Sequence, residues 1–203
     1  MTQAPPVTIK TAHDKLVSVI RWIDEHSKEV DIEGDARVQI AAACFDTVLE
    51  HQAAIAALVE RQLIGSALAL LRVMAEAFIR GMWFARCATD EQAASFKNDE
   101  IKKLTSLVAE IEVNLGSATD TLSRMVKSQW AALCSFTHTG FKQVACRYSG
   151  ALLTPNYPDQ EVIQALNFAG AIGLLAALEL ATLSKNVTLA TTITERARRY
   201  TAS

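Results

Sequence analysis

Apolar residues recur every three or four positions along almost the whole chain, which is the spacing of one face of an α-helix. In the first such segment, residues 9–29, Ile9, Leu16 and Ile23 share one side and charged residues lie opposite. No stretch alternates with a period of two for long enough to predict a strand. The pattern therefore predicts an all-α fold.

Turn and capping residues divide this pattern into about six principal helices and a short C-terminal helix. Asp35 is predicted to cap the second helix, and the Gly65–Ser66 pair is predicted to separate it from the third, with Ser66 as the cap. Thr89 and Gln92 have the spacing of a capping box. Similar signals predict helix ends at Gly116 and Gly140, a cap at Asp159 and a capping box at Thr192 and Glu195.

The composition predicts one domain in the cytoplasm. The chain has 203 residues without a linker or repeat, so we expect one helical-bundle domain over residues 1–203, with a flexible N-terminus at residues 1–8. Its net charge of −2 provides no global basic field, and general DNA binding is not expected. The N-terminal stretch "MTQAPPVTIK" lacks the apolar core of a secretion signal.

Residues 166–183 are strongly apolar, but Asn167 and Glu179 lie inside this stretch, and a charge is costly within a membrane span. We therefore expect a buried core helix and no membrane partner. Small residues recur every four positions on this helix and form a smooth stripe. The stripe is typical of a tightly packed core helix or of a self-association face, and a homodimer is expected on the second interpretation. Its members are Ala165, Ala169, Gly173, Ala177 and Ala181.

The chain shows no motif for a metal or a cofactor. Its four cysteines form no C-x-x-C pair and lie in apolar helical contexts, so we interpret them as reduced core residues. The phosphate-binding, dinucleotide-binding, zinc-protease and nucleophile-elbow motifs are all missing from the sequence. No metal and no cofactor are predicted. The cysteines are Cys44, Cys87, Cys134 and Cys146.

Three charged residues interrupt the apolar segment "LLRVMAEAFIRGMW", residues 70–83. Arg72, Glu76 and Arg80 follow one another at intervals of four, so they share one helix face and allow two local ion pairs. Apolar residues occupy most other directions around the helix axis, and the charged line is expected to be narrow and partly covered. It is either a structural network, an anion pocket in which Glu76 holds the arginines, or an ordinary exposed stripe.

A second polar group lies at the end of "WAALCSFTHTGFKQVACRY", residues 130–148. His138 is in the last helical turn, where the helix dipole favours a cation, and Gln143 and Arg147 follow at a spacing of four. The histidine is either a helix cap or part of a proton-transfer and anion site. The second interpretation requires that it lie beside Arg72 and Arg80.

Residues 60–150 resemble a group of uncharacterised bacterial helical-bundle proteins, distantly similar to HEPN-like bundles of toxin–antitoxin, abortive-infection and phage-defence systems. The resemblance lies in the Arg-x-x-x-Glu of the long helix and in the later aromatic–Thr–His–Gly-like turn. HEPN ribonucleases carry an Arg four to six residues before their His, and His138 has none; the one such spacing is Arg21 to His26. The resemblance implies a polar set of Arg72, Glu76, Arg80, His138, Gln143 and Arg147.

These observations favour a non-enzymatic binding or regulatory bundle. In this hypothesis, the implied polar set holds an anionic ligand such as a nucleotide or RNA, or a partner protein, in a toxin–antitoxin or phage-defence setting. One alternative is a metal-independent HEPN-like ribonuclease in which His138 is the general acid or base and the arginines stabilise the charged intermediate. The other is a structural antitoxin or immunity subunit. Whether the protein is an enzyme stays open.

Overall fold

The computed structural model describes residues 7–27, 30–100, 102–116 and 120–202, and its all-α architecture confirms the predicted fold class. Regular structure in these residues consists of nine helices and one two-stranded hairpin. In chain order the elements are α1 (Ile9–His26), α2 (Ala36–Glu60), α3 (Ile64–Arg86), α4 (Asp90–Phe96), α5 (Leu104–Asn114), α6 (Thr121–Thr137), α7 (Phe141–Ala145), β1 (Tyr148–Ser149), β2 (Leu152–Leu153), α8 (Asp159–Leu183) and α9 (Val187–Ala202).

Two predicted helix caps are confirmed. The Asp35 carboxylate accepts hydrogen bonds from the first-turn amides of α2, and Thr89 forms a capping box with Gln92 at the start of α4. Thr8 also caps α1, in a capping box with Thr11. The predicted flexible N-terminus, residues 1–8, thus includes the cap of α1, and residues 1–6 lie outside the described residues.

Three other predicted caps are wrong. The break before α3 lies at residues 61–63, so Ser66 is in the first turn of that helix, and Asp159 is the first residue of α8, after Pro158. The last helix begins earlier than predicted, because the Asn186 side chain accepts the Leu189 amide proton at 3.0 Å. Thr192 therefore lies inside α9 and cannot cap it.

The end of α6 also differs from the prediction, although the helix does stop near Gly140. Thr139 carries the left-handed backbone conformation (φ 54°), and Gly140 has an ordinary extended backbone. Gly140 is needed for space instead, because a Cβ there would lie 2.7 Å from the Ser135 hydroxyl oxygen. At the end of α5, Gly116 has the positive φ expected of a helix-ending glycine.

Helices α2, α3 and α8 form the centre of the bundle. α3 contacts α2, α5, α6 and α8, and it buries thirteen of its residues. Phe45 of α2 lies against Gly81 of α3, where no Cβ could fit without moving the ring. Because neighbouring helices surround α3, only a narrow part of its surface is left for polar side chains.

The small-residue stripe of α8 is buried within the chain, which confirms its interpretation as a core-packing face. The buried Gln52 of α2 donates to the Ala169 carbonyl at 3.1 Å, and its amide lies directly over Gly173. Because α1, α2 and α9 pack around α8, the stripe is not available to a second copy. The homodimer stays a prediction that this stripe no longer supports.

By length and composition, α2 and α8 are both apolar enough to cross a membrane. Half of the residues in the most apolar 18-residue window of α8 are buried inside the bundle. In the corresponding window of α2, a third of the residues are buried. Core helices of water-soluble proteins pass the same test, so this is weak evidence for a span.

Replacing Gly173 with valine is expected to lower the free energy of unfolding by about 1–3 kcal/mol, because the new side chain must displace Gln52 from a close-packed contact. Urea denaturation would measure the change. Gln164→Val, at an exposed position of the same helix, is the matched control and is expected to change stability by less than about 0.7 kcal/mol. Equal losses in both variants would contradict the proposed packing.

Candidate functional site

One face of α3 carries all of the candidate charged residues of that helix. Gly65, Ala69, Arg72, Glu76 and Arg80 follow at helical spacing, and the C-terminal end of α6 packs along the first part of this line. The Thr137 hydroxyl donates to the Ala69 carbonyl at 3.1 Å, which brings the residue after α6 beside Arg72.

Arg72 lies at the centre of the cluster. Its Nε donates to the Glu76 carboxylate at 3.0 Å, its Nη2 lies 2.9 Å from the same carboxylate oxygen in an ion pair, and its Nη1 contacts Nε2 of His138. The guanidinium also lies over the indole ring of Trp130, 5.4 Å from the ring centre. The side chains of Arg72 and Glu76 are only 20% and 19% exposed, as the predicted partial cover requires.

Arg80 is held less tightly. Its Nη2 is 3.8 Å from the Glu76 carboxylate, which is an ion pair without a hydrogen bond, and its side chain is 38% exposed. Burial raises the pKa of the neighbouring Cys44 thiol on α2, and the charge of Arg80 partly offsets that increase. Arg80 therefore extends the cluster toward α2 and keeps most of its donors available.

His138 joins the cluster from the end of α6 and lies beside Arg72. It directly follows the last helical residue, and the next residue, Thr139, has a positive φ. Nε2 is the ring nitrogen that contacts the Arg72 guanidinium. The ring itself is exposed.

Gln143 and Arg147 lie outside this cluster. Gln143 of α7 lies beside Tyr157 and beside Gly65, which is seven residues before Arg72 on α3. The amide oxygen of Gln143 is buried without a partner among the described residues. Arg147 is exposed, and in the described part of the chain only its backbone forms hydrogen bonds, to Val144 and Thr154. The implied six-residue set is therefore divided between two places.

The structure does not bring the side chains of Arg21 and His26 together in one site either. Both side chains are exposed at the end of α1, and His26 bonds to the carbonyl oxygen of Trp22 and stacks on its ring. This is a local contact of the kind that neighbouring side chains at the end of one helix commonly form.

The sequence prediction missed Trp130 as a member of the cluster. It lies eight residues before His138, which is slightly more than two helical turns. That spacing places both rings on one face of α6, so the signal was present.

Two further charged contacts hold helices together outside the cluster. Arg86 of α3 donates to both carboxylate oxygens of Glu179 on α8, at 2.6 and 2.7 Å. The Glu110 carboxylate of α5 accepts from Lys102 and from the Trp83 indole, and these bonds lower its pKa. Both contacts are satisfied within the chain and are structural.

No group of three metal-binding side chains occurs within the described ranges. The four cysteines are free and partly buried, and the pKa values of Cys87 and Cys146 are raised by burial. Their placement agrees with packing residues rather than with reactive thiols.

The fold and the site define an all-α bundle with a partly covered Arg–Glu–Arg line, capped at one end by a histidine and a tryptophan. The chain belongs to the family of unknown function DUF6988, which it matches over residues 45–203. All members of the cluster lie in the matched region. No curated protein and no solved structure matches the chain. The expected uncharacterised family is therefore confirmed, and the distant HEPN likeness stays a prediction.

Replacing Glu76 with glutamine is expected to lower the free energy of unfolding by about 1–3 kcal/mol, since it leaves the largely covered Arg72 without its carboxylate. Urea denaturation would measure the change. Asp14→Asn removes the carboxylate of an ion pair of the same spacing, Lys10–Asp14, that is well exposed, and no measurable change is expected there. A Glu76→Gln variant as stable as the parent would show that the Arg72–Glu76–Arg80 line contributes no more to stability than an exposed ion pair does.

Proposed function

We propose that this protein is a non-enzymatic binding bundle in which the Arg72–Glu76–Arg80 line holds an anionic ligand. The ligand is a phosphate- or carboxylate-bearing molecule such as a nucleotide, or an acidic segment of a partner protein. The observation that carries the proposal is the contrast between the two arginines, because Arg72 is held on three sides and Arg80 is left available.

The fixed position of Arg72 supports binding rather than simple surface charge. Its Nε donates to Glu76, its Nη1 contacts His138, and the guanidinium lies over Trp130. A guanidinium held in this way loses little side-chain freedom when its remaining N–H groups bind an anion. Pre-organisation of this kind lowers the cost of binding.

The local charge supports the same conclusion. Two guanidinium groups share one carboxylate, so the line carries a net positive charge within a chain of net charge −2. Partial cover lowers the effective dielectric constant and strengthens the attraction for an anion. A carboxylate or phosphate can bind Arg80 through two N–H groups, which is the geometry that arginine favours.

A ribonuclease is the second candidate, because an exposed histidine lies in contact with an arginine. However, Nε2 of His138 is already in contact with Arg72, so a substrate would have to displace that contact to reach this nitrogen. The toxin–antitoxin or phage-defence setting rests on the distant HEPN resemblance alone. An antitoxin or immunity subunit would use the same line to bind an acidic partner.

Inorganic phosphate or adenosine nucleotides at millimolar concentration are expected to raise the melting temperature of the parent protein. Arg80→Ala is expected to weaken this apparent affinity roughly tenfold or more, because it removes the available charged donors. Differential scanning fluorimetry at low ionic strength would measure both effects.

Two matched variants remove one positive charge elsewhere. Arg61→Ala removes an exposed arginine at the end of α2, and Arg147→Ala removes one that the structure places away from the line. Both are expected to respond to phosphate as the parent does. A parent without any ligand-dependent shift, or equal losses in all three variants, would end the proposal.

Total RNA incubated with the purified protein in EDTA is expected to stay intact, both for the parent and for His138→Ala. Gel electrophoresis of the RNA would show the outcome. Cleavage by the parent that His138→Ala abolishes would replace the binding function with a ribonuclease.

A further inference from the structure

The segment after α6 forms a protruding β-hairpin. Tyr148 pairs with Leu153 and Ser149 with Leu152, and Gly150 in the turn has a positive φ. Every residue from 147 to 156 is exposed. The hairpin therefore extends from the helical body instead of packing against it.

This protrusion is unusually apolar. The described residues contain eleven large hydrophobic side chains that are exposed, and five of them lie within residues 141–153, which we call the hairpin segment. Phe141 on α7 is 86% exposed, and Leu152 and Leu153 are 71% and 74% exposed. Val144 and Tyr148 complete the group. A cluster of this kind on a soluble body marks an interaction surface.

The hairpin segment is also cationic. Residues 121–158 contain four basic side chains and no Asp or Glu, although the whole chain has 22 acidic residues. Within the hairpin segment itself, Arg147 has no acidic partner among the described residues, and Lys142 has Glu161 at 3.8 Å. The combination of exposed apolar groups and positive charge requires a partner that is both apolar and anionic.

The geometry of β2 distinguishes between possible partners. Successive residues of a strand point to opposite faces, so Leu152 and Leu153 project on both sides of the hairpin. A rigid protein surface covers one face, whereas a fluid lipid interface surrounds the whole tip. A symmetric dimer through this segment would bring its like charges together.

We propose that the hairpin segment docks on an anionic lipid bilayer at the depth of the head groups. The side chains of Leu152, Leu153 and Phe141 enter the outer acyl region, and Lys142 and Arg147 bind lipid phosphates. The outer edges of the hairpin keep unpaired backbone groups, so the segment stays at the interface and does not span the membrane. Tyr148 lies at the base, where aromatic residues favour the interface.

This proposal replaces the expectation from the sequence that the protein does not contact a membrane. It does not depend on the binding function proposed for the Arg72–Glu76–Arg80 line. Arg80→Ala is accordingly expected to bind lipid as the parent does, so the two proposals fail separately.

The test is co-sedimentation of the full chain with large vesicles of phosphatidylcholine, with and without phosphatidylglycerol. The parent is expected to bind the anionic vesicles much more tightly than the neutral ones, and increasing salt should weaken this binding. Leu152→Ser combined with Leu153→Ser should reduce binding roughly tenfold or more, because two apolar side chains no longer enter the lipid. Lys142→Gln combined with Arg147→Gln should remove the preference for anionic vesicles.

Val113→Ser combined with Leu115→Ser is the matched control, because these exposed apolar residues lie at the end of α5 and outside the segment. It should bind vesicles as the parent does. Circular dichroism would verify that every variant keeps its helical content. Absence of binding at every composition, or equal losses in the control, would overturn the proposal. A dimer detected by light scattering that Leu152→Ser/Leu153→Ser disrupts, without vesicle binding, would also overturn it.

Discussion

The candidate site depends on a single guanidinium group that joins two helices. Arg72 bonds to Glu76 on its own helix and to His138 at the end of another, 66 positions later in the chain, and it lies over Trp130. Without this group the end of α6 would keep only the Thr137–Ala69 hydrogen bond as its polar link to α3, and Glu76 would face Arg80 alone. The other charged residue that the structure pairs on α3, Arg86, lies at the end of the helix and is paired with Glu179 of α8.

The same contacts fix the orientation of Arg72. A guanidinium held in one orientation suits the recognition of a planar anion. The binding function that we propose depends on this geometry and does not require the resemblance to HEPN proteins.

The helices could be predicted from the sequence because each long one must bury one face, and side-chain caps such as Asp35 and Thr89 act locally. The caps at Ser66 and Asp159 were wrong because other residues can begin a helix without a side-chain bond. α7 and the hairpin were missed, since elements of five and two residues are too short to show a period. The contact between Arg72 and His138 was a hypothesis, because local spacing carries no information on distant segments. That Gln143 lies apart from them, beside Gly65, could not be seen from local spacing either.

The acid-free stretch from residue 121 to residue 158 has a consequence for how the molecule moves in an electric field. This stretch carries +4, so the other residues, with sixteen basic and 22 acidic side chains, carry −6. The chain is therefore polarised along its sequence far more than its small net charge indicates. Glu161 lies 3.8 Å from Lys142 and offsets one of these charges, whereas Arg147 has no acidic partner among the described residues. At separations comparable to the screening length of about 8 Å at physiological ionic strength, the charge of Arg147 would act on an anionic object before contact. The rate of encounter through the hairpin segment would then depend on salt.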